Sequence, residues 1–119
     1  MKSVLKDKSF LFALRVVEVY KLIVAEHKEY VLSKQFLKAG TASGALIREA
    51  EFAQSKPDFI SKLSIALKEA NEAHYWIELL EAGKYITSDT KSALEKEINK
   101  IIYILISSIK TAKKVKSDK

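Results

Sequence analysis

The sequence predicts an all-α protein, an antiparallel up-down-up-down four-helix bundle, and three observations carry that prediction. Apolar residues recur about every 3.6 positions along most of the chain. Turn chemistry is confined to three short stretches, and 3 Gly and 1 Pro are too few turn formers for a hairpin-rich β protein. The 119 residues suit one domain over 1–119, because a second core would need more chain.

The first helix is expected over about 9–26, with Ser9 as its cap and the polar His27, Lys28 and Glu29 as its end. The second is expected over 31–54. The third, over 57–82, starts where Pro57 suits the first turn and Asp58 favours the positive end of the helix dipole. It closes at Ala82-Gly83, a glycine stop. Thr87, Ser88 and Asp89 offer caps for a fourth helix over 88–111, and a basic tail, 112–119, frays beyond it. Short connections make antiparallel neighbours.

Seams within these helices alternate steps of three and four, as helices crossing near +20° require. In the second they run Leu32, Phe36, Ala39, Ser43, Leu46, Ala50, Ala53; in the third Phe59, Leu63, Ala66, Ala70, Ala73, Ile77, Leu80. The fourth offers Leu94, Ile98, Ile101, Leu105, Ser108 and Ala112. Gly40 and Gly44 inside the second helix cost about 1 kcal/mol each relative to alanine, which close packing must offset; a loop at 40–44 is the competing reading. Twelve of the fifteen residues from Phe10 to Val24 are apolar, and eight of the twelve from Ile98 to Ile109. One core needs a single apolar stripe on each helix, so the surplus predicts self-association; the alternative is a lopsided monomer.

The net charge of +6 sits at the ends: residues 1–8 carry +2, residues 110–119 carry +4, and the body is neutral. Such ends attract polyanions, or serve only to solubilise. No cysteine is present, which excludes disulfides and thiolate chemistry and fits a reducing cytoplasm. No run approaches the roughly 20 apolar residues of a bilayer span, and no membrane partner is expected.

Catalytic and metal patterns are missing from the sequence. A di-iron bundle needs paired Glu-x-x-His motifs, whereas Asn71 precedes His74 and Val24 precedes His27 by three. His74 and Glu78 stand one turn apart, but no second pair completes a site. Glu69, Glu72, Glu78 and Glu81 read as a solvated face. With no phosphate-binding glycine loop and no nucleophile elbow, neither an enzyme nor a cofactor is expected.

The stretch from Gln35 through Gly40, Thr41, Gly44 and Glu49 to Ala50, then Ser55 to Phe59, then Ile65 to Leu80 with Glu69, Glu72, Tyr75 and Trp76, is specific as an ordered set. It resembles the bacterial four-helix bundle family that includes proteins encoded in intervening sequences of 23S ribosomal RNA genes. It is also similar to the accessory variability determinant proteins of diversity-generating retroelements. The resemblance covers nearly the whole chain. It implies an all-α protomer assembling into a homopentameric barrel and, for the retroelement relatives, a basic surface that binds nucleic acid and a partner reverse transcriptase. Lys38 stands where arginine is common. Ala42 replaces the usual serine and Leu46 the usual asparagine, which favours packing over a hydrogen-bonded centre in the second helix.

The expected role is therefore a non-enzymatic homo-oligomeric scaffold touching RNA or DNA without sequence reading. The candidate contacts are Lys34, Lys38 and Arg48 on the second helix and Lys110, Lys113, Lys114 and Lys116 in the tail. Five such contacts imply a log–log salt slope of about −4 to −5. The alternative is a protein-interaction module whose tail only solubilises.

Overall fold

A computed structural model describes the backbone of residues 2–115 and the side chains of residues 4–115. It has four helices, α1 (Lys2–His27), α2 (Leu32–Glu51), α3 (Lys56–Ala82) and α4 (Ser88–Lys114), and no strand among the described residues. α2 packs on α1 and α3, and α4 on α3 and α1, while the diagonal pairs do not meet. The helices thus close a square about one core, in a body of 55 × 21 × 20 Å, with α1–α4 its thinnest seam. No described helix is long and apolar enough to cross a membrane.

Several helix ends differ from the sequence expectation, each for a local reason. α1 begins at Lys2, not at Ser9, because the seam extends one turn further back. Leu5, Ser9, Phe12, Val16, Val19 and Ile23 alternate steps of four and three and are all buried. Ser9 is no cap; its Oγ donates to the Lys6 carbonyl at 3.1 Å. α2 stops at Glu51 instead of 54. Its last turn tightens, with the Phe52 and Ala53 amides donating to the Glu49 and Ala50 carbonyls, and the Gln54 amide is captured by the Asp58 carboxylate at 3.2 Å. α3 starts as expected beside Pro57, with Ser55 Oγ accepting from the Asp58 amide at 3.1 Å.

At the end of α3 the left-handed residue is Lys84 (φ 69°), not Gly83 (φ −80°). The Tyr85 amide donates to the Leu80 carbonyl at 2.8 Å and that of Lys84 to Glu81 at 3.0 Å, a Schellman closure shifted by one residue. Gly83 serves another purpose: a Cβ there would stand 3.3 Å from both the Leu79 carbonyl oxygen and the Tyr85 ring. α4 is capped by Thr87, which accepts from the Thr90 amide at 3.1 Å, and continues to Lys114, three residues beyond 111. Buried Ile109 and half-buried Ala112 hold that last turn, so Lys113 and Lys114 are helical.

α2 has a cap that its own N-terminal residues do not reveal. Val31 makes no side-chain cap, but Glu29 turns its carboxylate onto the amides of Val31 (3.0 Å), Leu32 (2.8 Å) and Ser33 (2.8 Å). Burial pushes the Glu29 carboxyl up, but the backbone donors from Leu32, Ser33 and Val31 together outweigh it and hold the group below the usual glutamate range. A carboxyl with a depressed folded-state pKa contributes stability above its unfolded pKa and loses it as pH falls through the folded value. Glu29→Ala should therefore cost about 1 kcal/mol at neutral pH. The gap to the parent should close below about pH 4. Urea unfolding at pH 7 and pH 3 checks both.

The seams expected for α2, α3 and α4 supply most of the core, joined by Ile47 and Ile109. Residues 40–44 are helical, and no loop interrupts α2. Gly40 faces Val16 so closely that a Cβ would lie 2.8 Å from both Val16 methyl carbons. One turn on, Gly44 lies over Ser9 with more room, its nearest neighbour at 3.4 Å. Leu46 packs against the core. Ser43 Oγ is buried and meets no hydrogen-bond partner among the described residues.

Candidate nucleic-acid interface

The basic residues expected to contact nucleic acid fall into two groups. Lys34, Lys38 and Arg48 lie along the exposed face of α2, spaced by four and ten residues with Thr41 and Ala45 between them. Arg48 is already engaged, its guanidinium 5.5 Å from the Phe10 ring centroid. Nearby, Lys6 pairs with Glu51 at 3.3 Å. Lys110, Lys113 and Lys114 are exposed on the last turns of α4, and Lys116 lies outside the described residues. Because α2 and α4 are diagonal, these groups occupy opposite sides of the bundle and do not form one patch.

The structure adds basic residues that the sequence reading left out. Lys96, Lys100, Lys110 and Lys114 share the outer face of α4 with Tyr103 and Ser107, at positions stepping by four and three. Across the seam α1 contributes Lys8. Lys8, Leu11, Lys96, Glu97 and Lys100 line a concavity of about 280 Å³. Lys8, Asn99, Lys100, Tyr103 and Ile104 line another of about 310 Å³. Together these make a shallow groove along the thinnest seam of the bundle. The Arg15 guanidinium, 2.9 Å from Glu97, neutralises the carboxylate on its wall. Lys8, Lys96 and Lys100 pair with no carboxylate among the described residues. The step pattern on α4 was visible in the sequence, whereas the pairing with Lys8 required knowing that α1 and α4 adjoin.

A larger concavity of about 520 Å³ lies between the end of α1 and the 83–87 connection. It mixes Glu26 and Glu81 with Lys84, so it carries no excess of positive charge. A separate feature is a donor cluster between α3 and α4. His74 and Glu78 of α3 are joined by Glu95 of α4, which sequence spacing did not place beside them. His74 Nε2 is 3.0 Å from Glu95 Oε2 and 3.8 Å from Glu78 Oε2, and the three donor atoms lie within 4.8 Å of one another. They are the residues that could hold a cation, but the Lys91 ammonium 3.9 Å from Glu95 already supplies positive charge there. The cluster reads as an ion-pair network tying α3 to α4.

The solvent side of α1 differs from these basic surfaces. Val4, Phe10, Leu11, Leu14 and Leu22 are 48–62% exposed, the largest concentration of exposed apolar side chains on any described helix.

A family model described as 23S rRNA-intervening sequence protein matches residues 1–107. The crystal structure of a protein with unknown function from the S23 ribosomal protein family of Bacteroides thetaiotaomicron is similar, with a TM-score of 0.88 and 55% sequence identity. The match covers 89% of this chain and 98% of that one. No curated protein matches the chain.

Proposed function

Because the chain belongs to the 23S rRNA-intervening sequence protein family, we propose that it is a non-enzymatic cytoplasmic scaffold whose copies associate through α1 and contact RNA or DNA through their lysines. The supporting observation is the distribution of surfaces: exposed apolar residues concentrate on α1, whereas the lysines gather on α2, on α4 and, through Lys8, at the α1–α4 seam. In this reading the short connections at 28–31, 52–55 and 83–87 leave the helices running alternately up and down. That places the solvent face of α1 along the length of the body, where copies can pack side by side. Five copies are what the family resemblance implies.

Each protomer carries a modest positive charge, so association matters for affinity. Grouping copies multiplies weak phosphate contacts through local concentration. Lys34, Lys38, Lys110, Lys113 and Lys114 supply charge without base reading, with Arg48 held over Phe10. Two measurements test the reading together. Sedimentation at low micromolar concentration should give a species several times 13.4 kDa, and Leu14→Lys with Leu22→Lys should reduce it to the protomer. Mobility shift with structured RNA should show binding that weakens as salt rises. A parent protein that sediments as a protomer, or gives no shift at low salt, overturns it.

A further inference from the structure

We propose that the α1–α4 groove binds unpaired nucleotides, with Tyr103 as the stacking platform and Lys8, Lys96 and Lys100 as the phosphate contacts. The proposal rests on the reading above that this chain binds nucleic acid, and adds which surface does so and which form it selects.

Tyr103 is the starting point. It is 72% exposed, although a tyrosine ring gains most from burial. It lies in the middle of a basic row, with Lys96 and Lys100 before it and Lys110 and Lys114 after it on the same face. From Lys100 to Lys110 is about 15 Å along the helix axis at 1.5 Å per residue. An aromatic ring bracketed by cations at that spacing matches what a single strand needs: phosphates held on both sides and a flat apolar face for a base between them. The shallow concavity of about 310 Å³ beside the ring, lined by Lys8, Asn99, Lys100, Tyr103 and Ile104, offers a base a largely apolar seat.

Charge complementarity fixes the occupant class. The groove has three lysines with no carboxylate partner among the described residues, and its one carboxylate, Glu97, is bound to Arg15. An acidic peptide would satisfy the lysines but leave the exposed ring unused. A duplex would also satisfy them, but its bases are already stacked and its phosphates present no free π-face to Tyr103. The α2 row differs: Lys34 and Lys38 have no aromatic on their own helix face, and the nearby Phe10 ring is already covered by the Arg48 guanidinium.

Fluorescence anisotropy with the full chain separates these possibilities, using a labelled 12-nucleotide single-stranded RNA and the duplex of the same strand. Tyr103→Ala should weaken single-strand binding about tenfold and change duplex binding less than twofold. Tyr103→Phe should keep single-strand affinity. Lys96→Gln with Lys100→Gln should weaken both ligands and lower the salt slope by about 2. Equal effects of Tyr103→Ala on both ligands, or none, overturn the groove assignment while parental binding leaves the scaffold reading standing. A change in sedimentation on Tyr103→Ala would place the ring between copies and overturn it too. If the parent binds neither ligand, both readings fall.

Discussion

Phe12→Ala should lower stability by about 3–5 kcal/mol, a large part of what a domain this size possesses. Phe12 is fully buried at the middle of the α1 seam, flanked by Ser9 and Val16 on the same face. Truncation removes its transfer free energy and leaves a cavity that the neighbouring helices cannot fill without shifting. α1 meets α4 at the thinnest seam in the square, so a loss on its buried face loosens a junction with little to spare. Since α1 carries both the apolar outer face and Lys8, its loosening should impair the proposed association and the proposed nucleic-acid contact together. Leu14→Ala, on the exposed side of the same helix, should change protomer stability by less than about 1 kcal/mol. Urea unfolding at one fixed protein concentration compares them, because under the proposed association stability would depend on concentration. Equal losses would mean that Phe12 is not the seam residue described here.

Gly40 and Gly44 should respond in opposite directions to alanine. At Gly40 the new Cβ would meet both Val16 methyl carbons at 2.8 Å, and Val16 is fully buried and stiff about χ1. α1 and α2 must then separate, at an overpacking cost of about 1–3 kcal/mol. A gain of about 1 kcal/mol in helix propensity offsets part of it. At Gly44 the nearest atom, the Ser9 carbonyl oxygen, stands 3.4 Å away, so the propensity gain should dominate. Thermal unfolding of both variants measures the difference, expected at about 2 kcal/mol. Matching shifts of the same sign would contradict the close approach at Gly40.

The cores of α2, α3 and α4 were legible because burial repeats along one helix and needs no knowledge of its neighbours. Leu63, Ala66, Ala70, Ala73, Ile77 and Leu80 are buried as their spacing predicts. The same period runs along α1, where Ser9 has the chemistry of a cap but sits in the buried seam beneath Gly44. A serine hydroxyl can satisfy itself on its own helix, here on the Lys6 carbonyl, so its presence does not mark a helix start. The Glu29 cap was missed because it reaches forward from the preceding loop, whose conformation the sequence pattern does not fix. Lys84 takes the left-handed position at the end of α3, while Gly83 before it lies close against the Tyr85 ring.

By itself the sequence determined that this chain is helical, which stripes it buries, and that its apolar and basic residues exceed what one core uses. These are properties of a period along a single helix. Only the tertiary structure decided which helices are neighbours and which are diagonal. That adjacency separates Lys34, Lys38 and Arg48 from Lys110, Lys113 and Lys114, brings Lys8 to Lys96, Lys100 and Tyr103, and joins Glu95 to His74. The physical reason is that a helical period fixes direction around one axis, while a site requires the relative placement of two.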